Sequence, residues 1–395
     1  MIKQTLRVYW GLSFLYGLSM ASIGSTYVMF LLAHKMNIFE AQLVNVVFFV
    51  TLALFEIPTG VVADVFGRKL SFVLACFLIS LASLIYFFSK GFAGFATAEA
   101  IAAIGATFRS GAFQAWVVDR LKYFGHTGNL TKIFAREQQF NLLALMVGSL
   151  AGSFLAKINI TLPWLVSCLV AFLAGILSVC LMKEEYFHKR KFSFQDSWKL
   201  MGQASRDGLA QGRKNGVVRF VFLIGTIQFF AVQAPNMQWQ PFFVKIFGNI
   251  GVLGTIMIGI SLSMLAGSFL APRLKSWSKN EKAAINISQI AIGVGLILAA
   301  TLSKTFLATI PFLLHEAFRG MFNPIKDAFL NHNIASELRA TLISIESISH
   351  HFGGVIGLVA SGWVALKISI PASWLMSGSF IILFSGLVLL RGHKN

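Results

Sequence analysis

Twelve apolar runs of about twenty residues divide the 395-residue chain, and every connection between them is short except one. An α-helix needs roughly 20 apolar residues to cross ~30 Å of hydrocarbon, so each run is long enough to span a bilayer. Only 12% of the residues are charged and 56% are hydrophobic, whereas soluble domains carry about 25% charged residues. Long unalternating stretches such as VVFFVTLALFEI do not suit membrane β-strands, which alternate apolar and polar residues. The expectation is therefore an all-α integral membrane protein. Its spans are placed near 8–32, 42–63, 70–89, 92–118, 133–156, 162–182, 217–244, 250–271, 283–303, 306–328, 341–366 and 370–390. The first run is too long for the apolar core of a signal peptide and reads as a span.

Charge sets the expected orientation. The chain carries 33 Lys and Arg against 15 Asp and Glu, a formal net charge of +18. Alternate connections each hold a single Lys, namely Lys35, Lys90, Lys157, Lys245, Lys304 and Lys367, while most of the other cations fall on the opposite side. Basic residues favour the cytoplasmic face, so both termini are expected in the cytoplasm. The positive charge thus marks topology, and no nucleic-acid partner is expected. Cys76, Cys168 and Cys180 lie in apolar runs without metal-ligand spacing and read as small buried hydrophobes.

The long connection, which begins KEEYFHKRK, divides the chain into an N-terminal bundle (1–182), a linker (183–216) and a C-terminal bundle (217–395). Within the linker, Phe194, Trp198 and Met201 recur near helical spacing, which suggests either an amphipathic helix on the membrane surface or a solvated connection. The two bundles resemble each other faintly. ATFRSGAF in the fourth span matches EAFRGMF in the tenth, and Gly148 and Gly152 in the fifth correspond to Gly353 and Gly357 in the eleventh. Small residues four apart let helices approach closely.

The short connection after the second span reads GVVADVFGRK (60–69). It resembles the major facilitator superfamily loop signature G-x-x-x-D-x-x-G-R-[KR], matching at Gly60, Asp64, Gly67, Arg68 and Lys69. The resemblance implies twelve transmembrane helices in two pseudo-symmetric six-helix bundles, with a substrate reached alternately from either side. It also implies a conformational latch, in which Asp64 faces the N-terminus of the eleventh helix and Arg68 bridges Asp64 and Asp119. Gly60 and Gly67 would allow close helix approach and a tight turn. The match is incomplete elsewhere: Ala271 stands where the second-half loop would repeat the Asp, and GSLAG in the fifth span lacks the Pro of the antiporter signature.

Charges inside spans are costly and mark pathways, pairs or bundle interiors. The candidates are Glu56, Glu99, Arg109, His315, Glu316, Arg319, Glu346, His350 and His351. Because the family's central cavity is bounded by the first, fourth, seventh and tenth spans, Glu99, Arg109, Glu316 and Arg319 become the expected substrate and proton pathway. Gln228, Gln233 and Asn236 around Pro235 in the seventh span, and Tyr16 in the first, add a polar lining. Glu99 and Glu316 are expected near mid-membrane, although Glu316 and Arg319, three residues apart, could instead form a self-neutralising pair. No nucleotide-binding loop or metal-hydrolase pair occurs, so neither an enzyme nor a bound cofactor is expected. The favoured reading is a monomeric secondary transporter in the bacterial inner membrane. It would move a polar or anionic metabolite or a siderophore-like compound, with the proton as coupling ion. A multidrug/proton antiporter and a non-transporting sensor or scaffold of the same fold are the alternatives.

Overall fold

The computed structural model describes the backbone of residues 1–187, 215–333 and 336–392, and the side chains within them except at 331, 336–348 and 389–392. Most of the linker, including the expected amphipathic segment, lies outside the described residues, as does the Glu346 side chain. The described residues form fourteen α-helices that account for twelve spans. Eight helices are long and apolar enough to cross a membrane by themselves, or nine if the bent pair at the N-terminus counts as one span.

Two spans are broken. The first consists of α1 (Ile2–Gly24) and α2 (Tyr27–Ala33), which meet at 44°. The fourth consists of α5 (Phe92–Arg109) and α6 (Ala112–Tyr123), separated by Ser110 and Gly111. Gly111 has φ +71°, a left-handed conformation that glycine adopts at little cost. The break ends α5 at Arg109, whose cation therefore lies at a helix C-terminus, where positive charge is favoured.

The other spans are α3 (Ile38–Phe66), α4 (Arg68–Phe88), α7 (Leu130–Ile158), α8 (Leu162–Leu181), α9 (Gly216–Phe247), α10 (Val252–Trp277), α11 (Glu281–Thr301), α12 (Thr309–Asn333), α13 (Ser336–Lys367) and α14 (Ile370–Gly392). A proline inside a helix kinks or breaks it, and α9 runs through both Pro235 and Pro241 as one helix. Neighbouring helices can satisfy the carbonyls that a proline frees, which is why membrane helices tolerate it.

The chain separates into two compact units. One comprises Met1–Met36, Val47–Ser197 and Asn249–Ile258, and the other Asn37–Val46, Trp198–Gly248 and Gly259–Asn395. The start of α3, up to Val46, thus belongs to the second unit, and the first turns of α10 belong to the first.

In the first unit α1 packs along α7 and α8, while α4 packs along α5 and α8. The expected glycine face is what brings α1 and α7 together. A Cβ on Gly148 would stand 2.6 Å from that of Ala21, and one on Gly152 would collide with the Ser22 carbonyl oxygen. The second unit repeats the device between α9 and α13, where a Cβ on Gly353 would lie 2.7 Å from the Thr226 carbonyl oxygen and one on Gly357 would meet that of Phe230. Each unit also has an aromatic stack on its last helix. Trp164 lies over Tyr86 with centroids 3.8 Å apart, and Trp374 over Phe242 at 4.2 Å. Cys76 and Cys168 are buried as expected, but Cys180 is exposed on α8.

Candidate functional site

Arg109 is the centre of a polar group between α1, α5 and α7. Its guanidinium lies over the Tyr16 ring, 4.6 Å from the centroid, and Nη2 stands 4.0 Å from Glu137 Oε1. Its Nε is buried and has no hydrogen-bond partner among the described residues. Glu137 is almost fully buried, accepting hydrogen bonds from the Tyr9 hydroxyl and from Ser13 Oγ at 3.2 Å. Ser13 also lies 3.0 Å from Asn141 Oδ1. A carboxylate in this setting is tolerated only because a cation and hydroxyl donors surround it. Sequence reasoning passed over Glu137, because AREQQFN looks like the solvated start of a helix.

Glu99 occupies a different place. Its Oε1 accepts hydrogen bonds from the Tyr27 and Tyr86 hydroxyls, the latter at 2.9 Å, beneath the Tyr86–Trp164 stack. The two hydroxyls come from α2 and α4 and the stacked Trp164 from α8, so Glu99 joins α5 to the packed interior of the unit. Glu99 is seven residues from the start of α5, about 10 Å along the axis.

In the second unit the self-neutralising alternative is the arrangement present. Arg319 Nη1 donates to Glu316 Oε1 at 2.8 Å, to Oε2 at 3.0 Å and to Asn236 Oδ1 at 2.9 Å. His315, fully buried, places Nε2 3.9 Å from Glu316 Oε1 and Nδ1 2.8 Å from the Phe312 carbonyl oxygen. The amides of α9 do not form one open lining. Gln228 and Gln233 are buried, and Gln238 donates to the Ser361 carbonyl oxygen of α13 at 3.2 Å. Asn236 alone is exposed among the ten residues from Ala231 to Gln240. Lys326 is a second buried charge that sequence reasoning missed, with Nζ 3.3 Å from Asp327 Oδ1. Glu56 is exposed, and the half-buried His350 stacks on Phe229 at 5.0 Å.

The loop signature is built partly as expected. Arg68 forms an ion pair with Asp119. Gly67 has φ +105°, and a Cβ there would stand 2.5 Å from Glu184 Oε2. Asp64 is exposed, with no hydrogen bond or ion pair to it among the described residues. A Cβ on Gly60 would meet no atom within 4 Å beyond its own helix among the described residues. An unforeseen partner is Glu184, whose Oε1 accepts the Arg68 backbone N–H at 2.8 Å and Oε2 that of Lys69 at 3.2 Å. This carboxylate caps the first turn of α4. Among the described residues no group of His, Cys, Asp and Glu is arranged to hold a metal ion.

Long apolar helices with charged side chains inside their packed interiors define a multi-pass membrane protein. Residues 9–315 match the Major Facilitator Superfamily, and the chain belongs to that family. It is 22% identical over 386 residues to the uncharacterized MFS-type transporter YxaM of Bacillus subtilis, covering 96% of this chain and 94% of the relative. It is 23% identical to Multidrug resistance protein 2 of the same organism, covering 84% and 81%. Among solved structures, nucleoside transporter NupG superposes with a TM-score of 0.80 at 14% identity, over 99% of both chains. The D-xylose-proton symporter gives 0.69 at 15%, over 98% and 97%. These likenesses show the fold, and the family makes the protein a transporter rather than an enzyme.

Proposed function

We propose that this transporter moves a small organic solute bearing an anionic group, by alternating access and together with a proton. The observation that carries the proposal is the Arg109 guanidinium. It rests on the Tyr16 ring, keeps a buried Nε without a hydrogen-bond partner among the described residues, and has the Glu137 carboxylate at the edge of contact, 4.0 Å away. A solute carboxylate or phosphate reaching this guanidinium competes with Glu137 for it. Once the cation turns to the solute, Glu137 is a buried charge without its counter-ion, and taking up a proton neutralises it. Tyr9 and Ser13 can keep their hydrogen bonds to the protonated carboxyl. One solute anion and one proton are then loaded in the same step.

We assign the coupling proton to Glu137 in preference to Glu99, because Glu137 shares its cation with the solute. No ion pair of Glu99 is seen among the described residues, and the hydrogen bonds it receives come from phenols. Glu316, Arg319 and Asn236 offer the second unit's polar surface, with Asn236 as its accessible member. The protein is assigned to the inner (plasma) membrane as a monomer, with both termini in the cytoplasm on the strength of the Lys and Arg distribution. Multidrug/proton exchange is the second reading, favoured by the name of the relative Multidrug resistance protein 2.

Proteoliposomes holding a pH-sensitive dye separate the two readings. Adding a panel of organic carboxylates and phosphates should drive proton movement in the same direction as the solute, and neutral analogues should not. Proton movement opposite to lipophilic cations, with none for anions, would replace this reading with the second.

A further inference from the structure

Where α10 ends, α11 begins and α12 ends, the second unit forms an open pocket of about 590 Å³, lined by Lys275, Lys279, Glu281, Lys282 and Phe329 among others. That volume lies within the ~300–1,000 Å³ usual for small-molecule sites. Three ammonium groups face one carboxylate, and the carboxylate is already committed. Glu281 Oε1 lies 2.5 Å from Lys275 Nζ and 3.1 Å from His332 Nδ1. Lys279 and Lys282 have no carboxylate partner among the described residues, and Lys282 Nζ stands 5.6 Å from the centre of the Phe220 ring. The first turn of α11 opens at the same place, with Asn280 capping the Ala283 N–H at 2.8 Å, and its dipole adds positive potential.

The surroundings distinguish a membrane ligand from a soluble one. Trp277, the last residue of α10, is 83% exposed, and Phe269 two turns earlier is 73% exposed. Ile287 and Ile290 are exposed on α11. An exposed Trp at the end of an apolar helix sits at headgroup level, so the basic pocket lies at the boundary between the apolar belt and water. Basic pockets between helices at that depth suit anionic headgroups.

We propose that this pocket binds the phosphate headgroup of an anionic membrane lipid, with Lys279 and Lys282 holding the phosphate and the acyl chains lying along the exposed apolar residues of α10 and α11. The site is separate from the Arg109 group. It rests on the proposed reading only in that the cytoplasmic leaflet would supply the lipid.

The test is the thermal stability of the purified full-length chain in detergent micelles with added lipid, since a ligand of the folded state raises Tm by mass action. Phosphatidylglycerol should raise Tm above the value in phosphatidylcholine, and salt should reduce the difference. The Lys279→Gln/Lys282→Gln variant should lose the difference, whereas Lys279→Arg/Lys282→Arg and the distant Lys304→Gln should keep it. An equal shift in Lys279→Gln/Lys282→Gln and wild type would overturn the site. An equal shift from soluble glycerol phosphate would overturn the lipid as its source. Micelle binding does not depend on which way the chain inserts. Orientation is therefore read separately, from label accessibility of a Ser278→Cys variant in sealed vesicles after the three native cysteines are replaced.

Discussion

Single residues carry the chemistry here, and their energetics depend on whether a partner is left behind. Glu316 is buried against Arg319 with hydrogen bonds of 2.8 and 3.0 Å. Removing one member of such a pair costs about 3–5 kcal/mol, because the other stays buried and charged. Arg319→Ala should therefore lower thermal stability strongly, while Glu316→Gln/Arg319→Gln should lose less than Arg319→Ala alone; a melting series of the three chains checks the order. The pair was legible in the sequence, since positions three apart share a helix face. Glu137 was also within reach. Residues 137, 141, 144, 148 and 152 follow helical spacing, and the Gly148 and Gly152 already recognised as a packing face put Glu137 on that same face toward α1. The Glu99 partners were not legible, because Tyr27 and Tyr86 are remote in sequence and their convergence depends on the bend between α1 and α2.

Helices meet where side chains are missing. The α1–α7 contact leaves no room at Gly152, whose added Cβ would strike the Ser22 carbonyl oxygen, whereas Gly11 of α1 faces open space. Gly152→Ala should cost about 1–3 kcal/mol by overpacking, and Gly11→Ala should be close to neutral; comparison of their melting temperatures tests the difference. The repeated glycine pairs were visible in the sequence because both the spacing and the residue type recur. The breaks were harder to place. α9 stays whole through two prolines, while the fourth span breaks at Ser110–Gly111 without one. Proline is therefore a weaker marker of a membrane-helix break than its loss of an N–H suggests, since packing partners compensate.

The short segment after α8 shows the same coupling of elements. Glu184 caps α4, Arg120 Nη1 donates to the Lys183 carbonyl oxygen at 2.6 Å, and the Tyr186 hydroxyl donates to the Trp116 carbonyl oxygen at 3.2 Å. Burial pushes the Glu184 carboxyl above its usual range, against the opposing effect of the Arg68 and Lys69 backbone N–H groups and charges. The folded chain then holds a proton that the unfolded chain has released. Its stabilising contribution is complete below the ordinary carboxylate range and is lost as pH rises through the raised value. Glu184→Gln should remove that part of the pH dependence, so its Tm should gain on wild type as pH rises from acidic toward neutral. A constant Tm difference across the range would contradict the assignment.

At the level of the whole molecule, the composition sufficed for the class and the 60–69 loop for the family, because a bilayer imposes its dimensions on every span. The spans that fail a simple test of length and hydropathy include the broken fourth and the charge-bearing tenth, which together supply Arg109, Glu316 and Arg319. Their charged side chains lower the mean hydropathy of these helices, whereas α7, which carries Glu137, passes the same test. Under the proposed mechanism Arg109 and Glu137 exchange a shared charge between solute and proton, which couples the two flows. Simultaneous recording of anionic-solute uptake and proton uptake in proteoliposomes, for wild type, Glu137→Gln and Glu99→Gln, tests it most directly. The expected result is coupled uptake in wild type and Glu99→Gln, with Glu137→Gln still exchanging solute across the membrane but no longer moving protons with it. Unchanged proton uptake in Glu137→Gln, or its loss in Glu99→Gln alone, would contradict the assignment.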